Sequence, residues 1–466
     1  MAEHRMEPLP ILPLAPPFSL LGTLFGEPVM SEIFSQERAV RGWLQAEAAL
    51  ARAQGAAGVL SSKEADDIAG VAHLDQLDLG ALWQQARNVG YPILPLVRQL
   101  AARLPEETRG RLHYGATTQD IMDTGLALQL SEASSWLEQL VLVLGDTLAD
   151  LVRIHARTVM AGRTHAQQAV PTTFGAKLAV FLAQIGRALA DVHAVQQRVA
   201  VVSLYGAGGT SAALGSDAAT VRGEMGRLLG LRAEEVPWHV ARDGPVAFGQ
   251  MCAGLCALSA RLAREIVDLS RSEIAEVHEP GGHHRGASST MPQKVNPISC
   301  EAVIGMAATA GALSSALYRA AEAGHERAAG EWQVEWHVLP QLATLAAGTL
   351  ALMGEVTRGL RVSPEQMREN LNVDQGLVMA EAYMMRLAPV LGQAGAHDLV
   401  YAAANHARIN RQQLAQALTD LAPPEVRALL GTEPLRPEDY LGRTQDVCRA
   451  AINGWRASQK EAVHDH

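Results

Sequence analysis

Apolar residues recur at helical spacing along most of the chain. Between residues 30 and 56 they fall at Ile33, Phe34, Val40, Trp43, Leu44, Ala48 and Ala51, which predicts a surface helix with one buried stripe. Residues 81–104 carry a second helical patch, interrupted near Gly90 and Pro92, and a turn-like segment from Gly110 to Gly115 follows. Much longer patterns come next: Thr124–Met160, Pro171–Val202, Pro245–His278, Ile298–Gly324 and Val334–Leu360. Each is about twice the length of an ordinary globular helix, so a long-helix bundle is expected. Beyond residue 361 the helical stretches shorten, punctuated by Pro423, Pro424, Gly431, Pro434 and Pro437. The pattern predicts an all-α protein of three domains: an N-terminal helical domain over 1–112, the central bundle over 113–360 and a small C-terminal helical domain over 361–466.

Several long helices are apolar over more than one stripe. Leu140–Leu144 and Leu178–Leu182 are examples, and Leu339–Met353 contains no charged residue. A lone bundle needs one apolar face per helix, so the surplus predicts burial against other copies of the chain, an obligate homo-oligomer.

Composition narrows the choice of core and partner. The chain is 48% apolar but 4% aromatic, so Ala, Leu and Val must build the core, which favours helix over sheet. A net charge of −10 argues against nucleic acid or an anionic membrane as partner, while leaving room for a small anionic substrate. Cys252, Cys256, Cys300 and Cys448 are too few for a disulfide scaffold in a chain this size. Cys252 and Cys256 lie one helical turn apart in apolar sequence, which reads as packing. The apolar stretch Ile11–Phe25 is broken by Pro13, Pro16 and Pro17 and lacks a cleavage pattern, so it does not read as a signal peptide. Ala302–Leu317 lacks charge but is Ala/Gly/Ser-rich and bounded by Glu301 and Arg319; it reads as a close-packed helix rather than a membrane span. A cytoplasmic location is expected.

The richest chemistry lies in Gly286-Ala287-Ser288-Ser289-Thr290-Met291-Pro292-Gln293-Lys294-Val295-Asn296-Pro297. Glycines lead into it (Gly281, Gly282, Gly286) and a proline ends it, as in a mobile loop with a defined stop. Hydroxyls beside an ammonium suit a reaction in which a proton leaves carbon and charge builds on a carboxylate. Two further segments stand at helix entrances. Thr117-Thr118-Gln119 can cap backbone N–H groups or bind a carboxylate. Gly162-Arg163-Thr164-His165 places before Pro171 a side chain that titrates near neutrality. His278, His283 and His284 fit no helical ligand pair, and no metal or organic cofactor is expected. The glycine-rich Leu204–Thr210 stretch lacks a preceding strand and is no nucleotide loop. A turn near the substrate is the expectation there.

Residues 286–297 resemble the signature GSSxMPxKxNP of the fumarase/aspartase superfamily, and the resemblance extends from Phe25 to the C-terminal domain. It implies a homotetramer around the long-helix core, with each active site built from three separated segments and shared between subunits. It makes Ser288 the base that removes a proton beside a carboxylate, activated by Lys294 or backbone N–H groups. His165, after Thr164, becomes the acid for the leaving atom, paired with Glu301 of another subunit. Glu301 equally suits its helix N-terminus through the dipole. Thr117, Thr118, Gln119, Thr164, Lys294 and Asn296 are then substrate-binding residues. Arg327 is a candidate carboxylate clamp, or else a helix-surface salt bridge.

The stretch His325–Trp336 is similar to the 3-carboxy-cis,cis-muconate cycloisomerase branch, and it lacks the Ser-rich segment of adenylosuccinate lyases. Cycloisomerases often carry Trp at the position of His165, however, and read Met-Pro-His-Lys-Arg-Asn-Pro where this chain has Gln293 and Val295. A retained acid suits true elimination. The expectation is a lyase that cleaves a C–N bond in a substituted succinate to give fumarate, with an amine or nitro-type leaving group; lactonisation of a carboxymuconate is the alternative. A non-catalytic structural homologue would be expected to lose Ser288, His165 or Lys294, and all are present.

Overall fold

The computed structural model describes residues 24–431 and 433–464, with side chains described through Lys460. All but the last two residues of the apolar stretch Ile11–Phe25 lie outside these. The architecture is all-α apart from two short two-stranded sheets. The N-terminal helices are α1 (Pro28–Ile33), α2 (Gln36–Ala56), α3 (Ser62–Val71), α4 (Leu79–Val89) and α5 (Ile93–Ala101). The long α6 (Thr118–Ile154) leads to a hairpin of β1 (Val159–Thr164) and β2 (Gln167–Thr173), then α7 (Phe174–Val199), α8 (Ala218–Leu229) and α9 (Asp243–Leu269). Strand β3 (Val277–His278), α10 (Ile298–Ser314), α11 (Glu331–Arg358) and β4 (Arg361–Val362) follow. The chain closes with α12 (Pro364–Asn370), α13 (Ala380–Asn410), α14 (Leu414–Leu421), α15 (Pro424–Leu430) and α16 (Thr444–His464).

The long helices stand where the apolar periodicity puts them, but their ends differ. The pattern carried the first through Met160 and began the second at Pro171, whereas the chain leaves helix at Ile154 and forms the β1–β2 hairpin between. Thr158 and Val159 are β-branched, and Pro171 cannot donate within a helix; it pairs with Ala161 in a two-stranded ribbon instead. Likewise α9 stops at Leu269, because Val277–His278 pairs with Arg361–Val362, and α10 stops at Ser314.

The chain forms two compact units, each discontinuous in sequence. The first comprises residues up to Leu140, Asp191–Ser259 and Gly305–Ala351. Its core gathers Val40, Trp43, Leu44 and Leu50 of α2, Ile68 of α3, Leu96 and Leu100 of α5, and Val221 and Met225 of α8. Helices α2 and α6 approach closely through Gly42 and Gly125: a Cβ on Gly125 would stand 2.6 Å from the Trp43 ring. The second unit comprises Val141–Ala190, Ala260–Ile304 and the chain from Leu352. Its core joins Val159 and Ala161 of β1 to Leu371, Tyr383, Leu387, Val400, Leu418 and Val426. Trp455 of α16 donates to Asp146 at 2.8 Å.

Among the described residues, four long helices are apolar and long enough to cross a bilayer, by length and composition alone. Their burial differs. The apolar windows of Asp243–Leu269 and Glu331–Arg358 are each 67% buried, but that of Ile298–Ala320 is 22% buried. The surplus apolar surface is thus concentrated on α10 and the turn after it.

Candidate active site

In the first unit the segment Thr117–Asp120 opens α6. Asp120 is fully buried and draws in donors from three places. Its carboxylate accepts from Thr117 N (3.0 Å), Tyr205 N (2.9 Å), Gly206 N (2.9 Å) and His239 Nε2 (2.7 Å). One side chain therefore ties the Thr-Thr-Gln segment to the glycine-rich loop. Gln119 lies one residue away. Its amide nitrogen donates to His239 O (2.8 Å) and Asp123 (3.1 Å), and its oxygen accepts from Arg327 Nε at 3.1 Å.

Arg327 also donates to Thr117 Oγ1 and Ala207 O, each at 3.2 Å. It sits in the loop before α11, not on a helix, so the surface-salt-bridge alternative does not hold. None of these three partners is a carboxylate. Three neutral acceptors orient the guanidinium and leave its charge available to an anion. Thr118 is half-buried beside them.

Behind this cluster lies an ion network that the sequence did not announce. Arg242, with no exposed side-chain surface, donates to Glu335 at 2.8 and 2.6 Å and to Asp123 at 2.8 and 3.1 Å. Burial alone would lower the Arg242 pKa, but the two carboxylates outweigh it and hold the guanidinium protonated. Asp123 also accepts from Trp332 Nε1 at 3.2 Å. The one available signal was the cluster of polar residues at positions 119, 120, 123 and 124 in the first two turns of the helix.

In the second unit, His165 and Ala166 form the turn of the β1–β2 hairpin. Both have positive φ, 49° and 61°, as a two-residue type I′ turn demands. Neither is glycine, so the turn stores about 1–2 kcal/mol per residue. The hairpin is clamped below that turn. Arg163 forks onto Glu276 at 2.9 and 2.6 Å, Asn370 Nδ2 donates to the same carboxylate at 2.8 Å, and Gln168 of the facing strand donates to Asn370 O at 2.8 Å. Glu276 has no exposed side-chain surface. Thr164 and His165 themselves face solvent.

The third segment is a pinched loop. Asn296 N donates to Gly286 O at 2.8 Å, and Ala287 bridges Val295. Gly286 has φ 69°, and a Cβ there would lie 2.4 Å from Asn296 O, so this closure requires glycine. Within the loop Ser288 Oγ accepts from Met291 N (3.1 Å) and Thr290 N (3.3 Å). Backbone amides, rather than Lys294, therefore address the Ser288 oxygen. Lys294 is exposed and Asn296 half-buried. The sequence missed Glu279, whose carboxylate caps the N-terminus of α10 by accepting from Cys300 N (2.7 Å) and Ser299 N (3.3 Å). Glu301, one turn into that helix, points to solvent. Among the described residues of this unit, no hydrogen bond or ion pair joins His165, Ser288, Lys294 and Glu301 to one another. Cys256 makes no reactive thiol, because burial pushes its pKa up to about 12.

A helical bundle with a histidine on a strained hairpin turn and a serine in a pinched Gly–Pro loop is the setting in which the comparisons with known proteins place a lyase. The chain belongs to the lyase family of the fumarase/aspartase superfamily: residues 25–310 match the family profile described as Lyase. It is 38% identical over 445 residues to the 3-carboxy-cis,cis-muconate cycloisomerase of Pseudomonas aeruginosa, covering 94% of this chain and 96% of that one. It is 32% identical to the N-acetyl-S-(2-succino)cysteine lyase of Dickeya dadantii, covering 82% and 84%. The crystal structure of the 3-carboxy-cis,cis-muconate lactonizing enzyme from Pseudomonas putida superposes with a TM-score of 0.86 at 34% identity, covering 94% of this chain and 99% of that one.

Proposed function

We propose that the protein eliminates a nitrogen substituent from a substituted succinate and releases fumarate. Ser288 takes the proton from the carbon next to a carboxylate, giving a doubly charged aci-carboxylate. The C–N bond then breaks with its electron pair leaving on nitrogen, and His165 protonates that nitrogen on the opposite face. The observation that carries the reading is the pair of backbone N–H groups on Ser288 Oγ. They stabilise a deprotonated serine oxygen, without which serine is a poor base. Lys294 and Asn296 hold the carboxylate that gains charge, while Thr117, Thr118, Gln119, Thr164 and Arg327 bind the rest of the dianion. The His165 turn supports elimination over ring closure, since a leaving nitrogen needs an acid.

Apart from the buried Gln119, the same groups lie at or near the surface of the single chain. Their exposure, with the uncovered apolar face of α10, supports a homotetramer in which several copies complete each site and Glu301 of one copy meets His165 of another. The apolar helices then serve subunit contact rather than a bilayer. The lactonising alternative draws support from the cycloisomerase relatives.

Proton NMR of the purified protein with N-substituted aspartates, nitrosuccinate and 3-carboxy-cis,cis-muconate tests the choice. Fumarate release that drops about 10³-fold in Ser288→Ala, from a particle that sediments as four chains, is the expected result. Lactone from the muconate with no fumarate from any succinate would make the protein a cycloisomerase.

A further inference from the structure

The first unit contains an aromatic pocket that the reaction chemistry does not use. It encloses about 620 Å³, within the range of small-molecule sites. Its walls include Trp43, Trp83, Tyr91, Trp332 and Trp336. Four of the chain's 7 Trp line this one space, in a protein whose core is otherwise built from Ala, Leu and Val. The rings are fixed by one another: Tyr91 stacks on Trp332 with centroids 5.9 Å apart, Trp336 meets Trp332 edge-on at 5.0 Å, and Trp43 meets Trp83 edge-on at 6.2 Å. Pro340, also in the wall, lies inside α11 and removes the backbone donor due to the Trp336 carbonyl.

The pocket adjoins the substrate-binding segment. Asp123 lines it and accepts from Gln119, and Gln119 in turn accepts from Arg327. On α6, positions 119, 122, 123 and 126 share one face, and the last three line the pocket. The Arg327 anion clamp and the aromatic walls are therefore two hydrogen bonds apart. Both carboxylates at the floor, Asp123 and Glu335, are held by Arg242, so the walls offer flat apolar surface rather than an unpaired charge.

We infer that this pocket receives the substituent carried by the succinate and selects a flat, uncharged aromatic or arylalkyl group over a small one. The inference rests on the elimination reading for its substrate class, but the pocket's preference can be read by binding alone. The probes are benzylsuccinate and methylsuccinate, whose C–C bonds cannot be eliminated, titrated into the intact oligomer by calorimetry. Benzylsuccinate is expected to bind at least tenfold more tightly than methylsuccinate. Trp336→Ala and, separately, Trp83→Ala should each remove most of that gap, roughly tenfold, while leaving methylsuccinate affinity unchanged. Equal affinity of the wild type for the two probes overturns the inference. So does an equal loss for both probes in the variants, or a fall in sedimenting mass with the benzyl preference intact; the last would make the pocket a contact between copies. Fumarate release from N-benzyl-aspartate and N-methyl-aspartate is followed in parallel. A benzyl preference in binding with no fumarate from either compound would sink the elimination reading and leave the pocket assignment standing.

Discussion

The two units treat their polar residues in opposite ways. In the first, Asp120, Asp123, Arg242 and Glu335 are buried, and each makes at least two hydrogen bonds within the chain, both of those on Glu335 coming from Arg242. In the second, His165, Lys294 and Glu301 stand in solvent, and Ser288 touches only its own loop. Buried charges left unpaired are costly, so the first region must be complete before the chain can fold. Exposed groups held by backbone closure carry no such requirement. The first region is scaffold as well as candidate site; the second sets the proposed reactive groups on a finished frame.

The comparison predicts that substitutions will separate stability from activity. Arg242→Ala leaves two carboxylates buried without their cation, and should cost about 3–5 kcal/mol of stability, read as a lower urea midpoint. Ser288→Ala should leave that midpoint within about 0.5 kcal/mol while lowering turnover about 10³-fold. If Arg242→Ala costs less than about 1 kcal/mol, water reaches the network and the contrast between the regions collapses.

An intermediate effect is expected where the second unit does bury charge. Glu276 touches nothing in the loop of residues 286–297, yet it clamps Arg163 two residues before His165. Glu276→Ala should lower kcat by about 10²-fold, because an imidazole misplaced by about 1 Å no longer meets the leaving atom. KM should stay within about twofold. Glu276→Gln keeps an acceptor for the Arg163 fork and should recover most of the rate. Equal damage by both variants, with KM rising in step, would make Glu276 an ordinary structural residue.

Periodicity placed the long helices because a sustained run of helical spacing overrides local detail, even on α10, whose apolar surface is largely uncovered. It could not see the β1–β2 hairpin, for which Thr158, Val159 and Pro171 were the local signals but pairing needed a partner strand. The loop that carries the proposed reactive positions was legible for a different reason. Gly286, Ser288, Lys294, Asn296 and Pro297 form one contiguous motif, and the chain closes it as a single loop. The supports are discontinuous: Asp120 with His239, Arg242 with Asp123 and with Glu335, and Arg163 with Glu276 are pairs 93 to 119 residues apart in sequence. Nothing in local patterning announces such pairs, since a buried ion pair reads in sequence like two surface charges. The aromatic pocket was equally hidden, because its rings come from α2, α4, α11 and the turn between α4 and α5.

The smallest effect concerns His113, which lies just before the Thr117–Asp120 segment. It has φ 61° and meets the buried Glu47 carboxylate at 2.6 Å. Burial acts against its protonated form, but the charge and hydrogen bond of Glu47 outweigh burial and raise its pKa above the usual 6.5. A histidine whose pKa is higher folded than unfolded adds stability that is fully present below the unfolded value. That stability is lost as pH rises through the folded value. His113→Gln should therefore lower the melting temperature most below pH 6.5, by the equivalent of about 1 kcal/mol, and the gap to wild type should narrow as pH rises. Melting curves across that range check it. A constant gap would mean that the contact acts as a neutral hydrogen bond, and that the first unit holds its site segment by geometry rather than by charge.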